Sequence, residues 1–139
     1  MRTYENFINN NLEELANEFL EKENISKDYL KNESDGLCWW FAKNFSKYLD
    51  SKGVNNTIFD MRSNKEGNHL VVNSNGNFID FTLNQFQKSK VPAILKKSDY
   101  SMFSIFKDYE NFEEFTKSWD LTEDEWIEYE KHLNHPNRS

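Results

Sequence analysis

A single cysteine stands in a chain of 139 residues. It can neither close an intramolecular disulfide nor build a cysteine-based zinc site, so Cys38 is either inert packing or a reactive thiol. Two prolines and four glycines leave little to punctuate the chain, and no segment is rich in Pro, Gly or Ser. Without linker composition or an internal repeat, the expectation is one domain over residues 1–139. Positive charge is also short, with 17 Lys and Arg against 24 Asp and Glu and a net charge of −7. Phosphate backbones call for a clustered basic surface, so direct nucleic-acid binding is not expected. No apolar run approaches the length of a membrane span, and the first residues carry no apolar signal-type core. The expected location is cytoplasmic, or another cell into which the protein is delivered from the cytoplasm.

Aromatic side chains, by contrast, are abundant: 12 Phe, 6 Tyr and 4 Trp. They favour a folded core over disorder. Over residues 3–21, Tyr4, Phe7, Ile8, Leu12, Leu15, Ala16, Phe19 and Leu20 recur at spacings of three and four, which predicts an amphipathic helix. A short helical turn follows at 26–30. Leu37, Phe41, Ala42, Phe45, Tyr48 and Leu49 predict a second long helix, capped by Ser34 or Asp35 and stopped at Gly53. Cys38 then lies in its first turn.

The period changes to two after Gly53, predicting three antiparallel strands at 57–62, 69–72 and 78–82. Between the last two, Asn75-Gly76 signals a tight hairpin, because a type I′ turn needs positive φ at both central residues. Beyond Gln85 the pattern weakens: Val91-Pro92 interrupts any regular element, and residues 100–106 read as a strand or a short helix. Asn111 caps a helix extending through Trp119. Thr122-Glu123-Asp124-Glu125 is a capping box that opens another, carrying Trp126, Ile127, Tyr129 and Leu133. Helices, then strands, then helices make the class α+β.

A nucleophilic thiolate needs a base to take its proton, a group to orient that base, and a setting that favours negative charge. Cys38 at a helix N-terminus meets the last condition, since backbone N–H groups and the helix dipole point there. His69 and Asp80 lie on the two strands of the Asn-Gly hairpin. If Asn75 and Gly76 occupy the turn centre, Val71 stands opposite Asp80 and His69 opposite Thr82. All four side chains then share one face. His69 and Asp80 become diagonal neighbours, roughly 7 Å apart between backbones, a gap their side chains can close. A one-residue bulge would put them on opposite faces. Each residue alone also has a plain structural reading: Cys38 as a small core residue, His69 as a strand residue, and Asp80 as the outward position of an alternating strand.

The ordered set resembles a known family. Gly36-Leu37-Cys38-Trp39-Trp40-Phe41 is similar to the Cys-Trp neighbourhood of papain-type proteases. Asn68-His69-Leu70-Val71-Val72 and Phe78-Ile79-Asp80-Phe81-Thr82-Leu83-Asn84-Gln85-Phe86 resemble the corresponding segments of compact bacterial papain-like proteins: papain-fold toxins, transglutaminase-like proteins and protein-glutamine deamidases. The likeness spans residues 32–86. It implies a papain-like core, with Cys38 as nucleophile, His69 as general base and then acid, and Asp80 as the group orienting the imidazole. It also implies an oxyanion role for Asn32, six residues before Cys38, with Trp39 and Gln85 in support. Thr82 stands where those relatives usually carry Pro, and no later protease segment follows Gln85.

The implied activity is acyl transfer through a thioester, with glutamine deamidation of a protein substrate ahead of peptide cleavage. A binding module of another class is the alternative, an acidic inhibitor or adaptor using the C-terminal helices against a basic partner protein. No cofactor or metal is expected. His132 and His135, three residues apart, read as a solvated tail.

Overall fold

The computed structural model describes residues 4–33, 37–65, 67–118, 122–133 and 136, excepting the side chains of 4–10, 129 and 132. Of the residues singled out above, Ser34, Asp35, Trp119 and His135 lie outside this set, as do the side chains of Tyr4, Phe7, Ile8, Tyr129 and His132. Three helices come first: α1 (Tyr4–Lys22), α2 (Lys27–Asn32) and α3 (Cys38–Ser51). A five-stranded antiparallel sheet follows, formed by β1 (Thr57–Ser63), β2 (Gly67–Ser74), β3 (Asn77–Asp80), β4 (Ala93–Leu95) and β5 (Ile105–Tyr109), in the spatial order β4-β3-β2-β1-β5. Helices α4 (Phe112–Lys117) and α5 (Glu123–Glu130) close the described chain. The α+β expectation holds.

The strand count was short by two. β4 begins directly after Pro92 and has only three residues, too few to show a period. β5 lies on the sheet edge and is mostly exposed, so its side chains do not alternate between core and solvent. Residues 100–106 are therefore neither one strand nor one helix, since β5 takes only their last two positions.

α3 is the buried axis of the molecule, covered on several sides. Trp40, Phe41, Phe45, Tyr48 and Leu49 face Leu12, Leu15, Ala16 and Phe19 of α1. Phe19 sits among the rings of Trp40, Phe41, Phe45, Tyr48 and Phe81 at centroid distances of 5.3–6.2 Å. Cys38, Trp39 and Ala42 turn toward Ile58, Leu70, Tyr109, Phe112 and Phe115. On the opposite face of the sheet, Met61, Val71 and Phe78 pack with Leu83, Tyr100 and Phe103. β2 is thus covered on both faces, which explains why His69 to Ser74 are all buried.

Local signals account for the ends of these elements. Asn75 and Gly76 adopt φ of +53° and +82°, the pair a type I′ turn requires, and Gly53 ends α3 at φ +72°. Leu37 is the residue preceding α3, with no side-chain cap. Asn111 caps α4 by accepting from Glu114 N–H. Thr122 and Glu125 form the reciprocal capping box, each backbone N–H donating to the other's side chain. Glu114 and Glu125 thus each accept a backbone N–H, and are not merely charges on a solvated face. Among the described residues, no helix is long and apolar enough to cross a membrane.

Candidate active site

The hairpin register is the foundation of the site. Ser74 pairs with Asn77, Asn73 with Phe78 and Val72 with Ile79. Extending that register places Val71 opposite Asp80, with His69 one diagonal step away. The imidazole Nε2 and Asp80 Oδ2 are 2.7 Å apart, and both side chains are buried. A charge-assisted bond of this length is among the strong hydrogen bonds of a protein interior.

Asp80 is held by more than His69. Tyr100 Oη donates to the same Oδ2 at 2.7 Å, while Thr82 N–H donates to Oδ1 at 2.9 Å. Burial alone would raise the carboxyl's pKa, but the charge and hydrogen bond of His69, then Tyr100 and the Thr82 N–H, lower it. The backbone donor also gives meaning to the departure from Pro at position 82, because proline has no N–H to offer. Burial and the neighbouring Asp80 raise the Tyr100 phenol, keeping it a neutral donor.

Burial would likewise depress His69. Asp80's charge and hydrogen bond, followed by hydrogen bonding and charge from Cys38, instead raise it to about 10. With Nε2 given to Asp80, Nδ1 is the ring nitrogen left for other partners. Gln85 Nε2 lies 3.3 Å from Nδ1 and 3.2 Å from Thr82 Oγ1. Gln85 thus bridges the imidazole and the Thr82 hydroxyl. Once Nδ1 is protonated, the amide must present its oxygen instead.

Cys38 arrives from α3, on the far side of the sheet from Tyr100. The paired residues of β3 reach only Ile79 opposite Val72, so the β2 edge beside His69 is not continued by β3. There the first turn of α3 meets the imidazole. Cys38 is the first helical residue, at the end where N–H groups favour a thiolate or oxyanion, and it is 7% exposed. Phe103 stacks on the imidazole at 5.9 Å and 16°, and Phe86 meets it edge-on at 4.9 Å. These rings shield the hydrogen bonds from water.

The other expected residues divide. Gln85 touches the imidazole directly. Trp39 packs on Phe112 and Phe115, in the same cluster as Cys38. Asn32 is exposed, and its amide donates to the Asp28 carbonyl one turn back in α2 at 2.9 Å, so among the described contacts it does not join the oxyanion site. Tyr100, Phe86 and Phe103 were not anticipated. They come from irregular chain around short 3-10 turns, where no period marks an inward position. Among the described residues, no three His, Cys, Asp or Glu side chains gather to hold a metal.

No family model, curated protein or solved structure matches this chain. Its chemistry is accordingly argued from the geometry.

Proposed function

We propose that the chain is a papain-like cysteine enzyme that hydrolyses a carboxamide through a thioester, acting as a glutamine deamidase on a protein substrate. The observation carrying this reading is the buried 2.7 Å contact between His69 Nε2 and Asp80 Oδ2, on an imidazole whose pKa Cys38 also helps to raise. With its pKa raised to about 10, His69 enters the reaction protonated, Cys38 acts as the thiolate of an ion pair with it, and Sγ attacks the carboxamide carbon. The resulting oxyanion lies at the amino end of α3, where Cys38 N–H can donate. His69 gives its Nδ1 proton to the departing nitrogen, ammonia leaves, and a thioester remains on Sγ. Water gives a proton to Nδ1, the hydroxide attacks the thioester, and a carboxylic acid and the Cys38 thiolate are released, restoring the ion pair.

The narrow exposure of Cys38 favours a glutamine side chain, which enters end-on, over a peptide backbone that must lie across the thiol. The same residues would serve peptide cleavage if an open cleft ran past Cys38. Incubation of glutamine-bearing proteins and peptides with the chain tests the reading by intact mass. Deamidation adds about one mass unit and cleavage gives fragments, while Cys38→Ala does neither. No mass change of either kind would remove the enzyme reading.

A further inference from the structure

Resting on the proposed reaction, a second feature bears on which glutamines are read. A groove of about 760 Å³ is lined by Lys31 and Asn32 at the end of α2, and by Asn84, Lys88, Ser89 and Lys90 after β3. One wall adjoins the site through Gln85, and the other precedes Cys38 in sequence. Asn32 precedes the short segment that ends at Cys38, and Asn84 is the direct neighbour of Gln85, whose amide touches His69 Nδ1.

The groove's charge runs against that of the chain. Three of its six lining residues are lysines and none is acidic, in a molecule with net charge −7. Lys90 is bonded to Glu13 of α1, but an exposed pair of this kind contributes little and is readily exchanged. Lys31 and Lys88 are exposed. Asn84 is held by two bonds to Ser89, donating to its carbonyl at 3.0 Å and accepting from its N–H at 3.0 Å. That closed turn sets the lysine-bearing wall in a defined shape beside Gln85.

We infer that this groove binds an acidic peptide segment flanking the target glutamine, so the substrate is a protein carrying Asp or Glu close to the residue modified. A local cationic groove attracts acidic segments and disfavours basic ones. The lysine wall and the thiol would then be used by one bound segment, its acidic part on the lysines and its glutamine at Cys38.

The test uses two fluorescent peptides, each with one glutamine, flanked in one by Glu and Asp and in the other by Lys. Binding is followed by anisotropy at low and high salt, and deamidation by mass. The acidic peptide should bind at least about fivefold more tightly at low salt, and the margin should shrink with added salt. Lys31→Glu/Lys88→Glu should abolish the margin, whereas Lys117→Glu/Lys131→Glu, an equal charge change elsewhere, should keep it. Equal affinities, no binding, or an unaltered margin in Lys31→Glu/Lys88→Glu would overturn the inference. The two proposals fail separately. Selective binding without mass change leaves the groove and removes the enzyme, while deamidation at equal rates on both peptides does the reverse.

Discussion

At the scale of single residues, the account turns on one buried carboxylate and its donors. Asp80→Asn removes the charge that does most to hold the His69 proton, leaving burial opposed only by Cys38. The midpoint of His69, followed by ring ¹⁵N resonances, should fall from about 10 to below the ordinary 6.5. Activity should fall by about 10²–10⁴-fold, the usual weight of a positioned acid–base group. Tyr100→Phe deletes one donor to the same carboxylate, and should cost about 1.5–3 kcal/mol in urea unfolding because the lost bond is to a charge. His69 and Asp80 were legible together because the Asn75-Gly76 turn dictates register, and register dictates which side chains share a face. Tyr100 was not, since it lies twenty residues downstream in irregular chain. Asn32 was placed by resemblance alone, and its amide is spent inside α2.

At the scale of elements, the hairpin between β2 and β3 carries the site as much as the residues on it do. Gly76→Ala meets no atom within 4 Å of the added methyl, so its whole cost is backbone strain at φ +82°. The expected loss is about 1–2 kcal/mol, read as a lower urea midpoint with an unchanged slope. A larger loss would mean that the turn sets the catalytic register more tightly than a local strain can. The long helices and the central strands could be read because their periods are sustained, and the caps at Asn111 and Thr122 because their spacing is diagnostic. The edge strands could not. β4 is too short to carry a period, and β5 leaves most of its residues in solvent on both faces. The first-turn position of Cys38 was legible from the apolar spacing of α3, although Leu37 is the residue that precedes the helix.

At the scale of the molecule, the site couples folding to pH. The folded pKa of His69 is raised, so its contribution to stability is complete below about 6.5 and is lost as pH rises through about 10. Asp80 is lowered, so its contribution is present above the ordinary carboxylate range and is lost as pH falls through its folded pKa. Thermal unfolding should therefore show greatest stability between about pH 4 and 6.5, with a gradual decline toward pH 10 that Asp80→Asn lacks. The net charge of −7 pointed first to acidic C-terminal helices and a basic partner. Glu114 and Glu125 each accept a backbone N–H while staying exposed, and the lysine groove proposed above would take an acidic segment. The central claim, that Cys38, His69 and Asp80 form one working unit, is tested most directly by the mass of a glutamine-bearing acidic peptide after incubation with the wild-type chain, Cys38→Ala and Asp80→Asn. The account predicts a gain of about one mass unit with release of ammonia for the wild type, at least about 10²-fold slower for Asp80→Asn and absent for Cys38→Ala. Equal rates in all three, or no conversion by any, would contradict it.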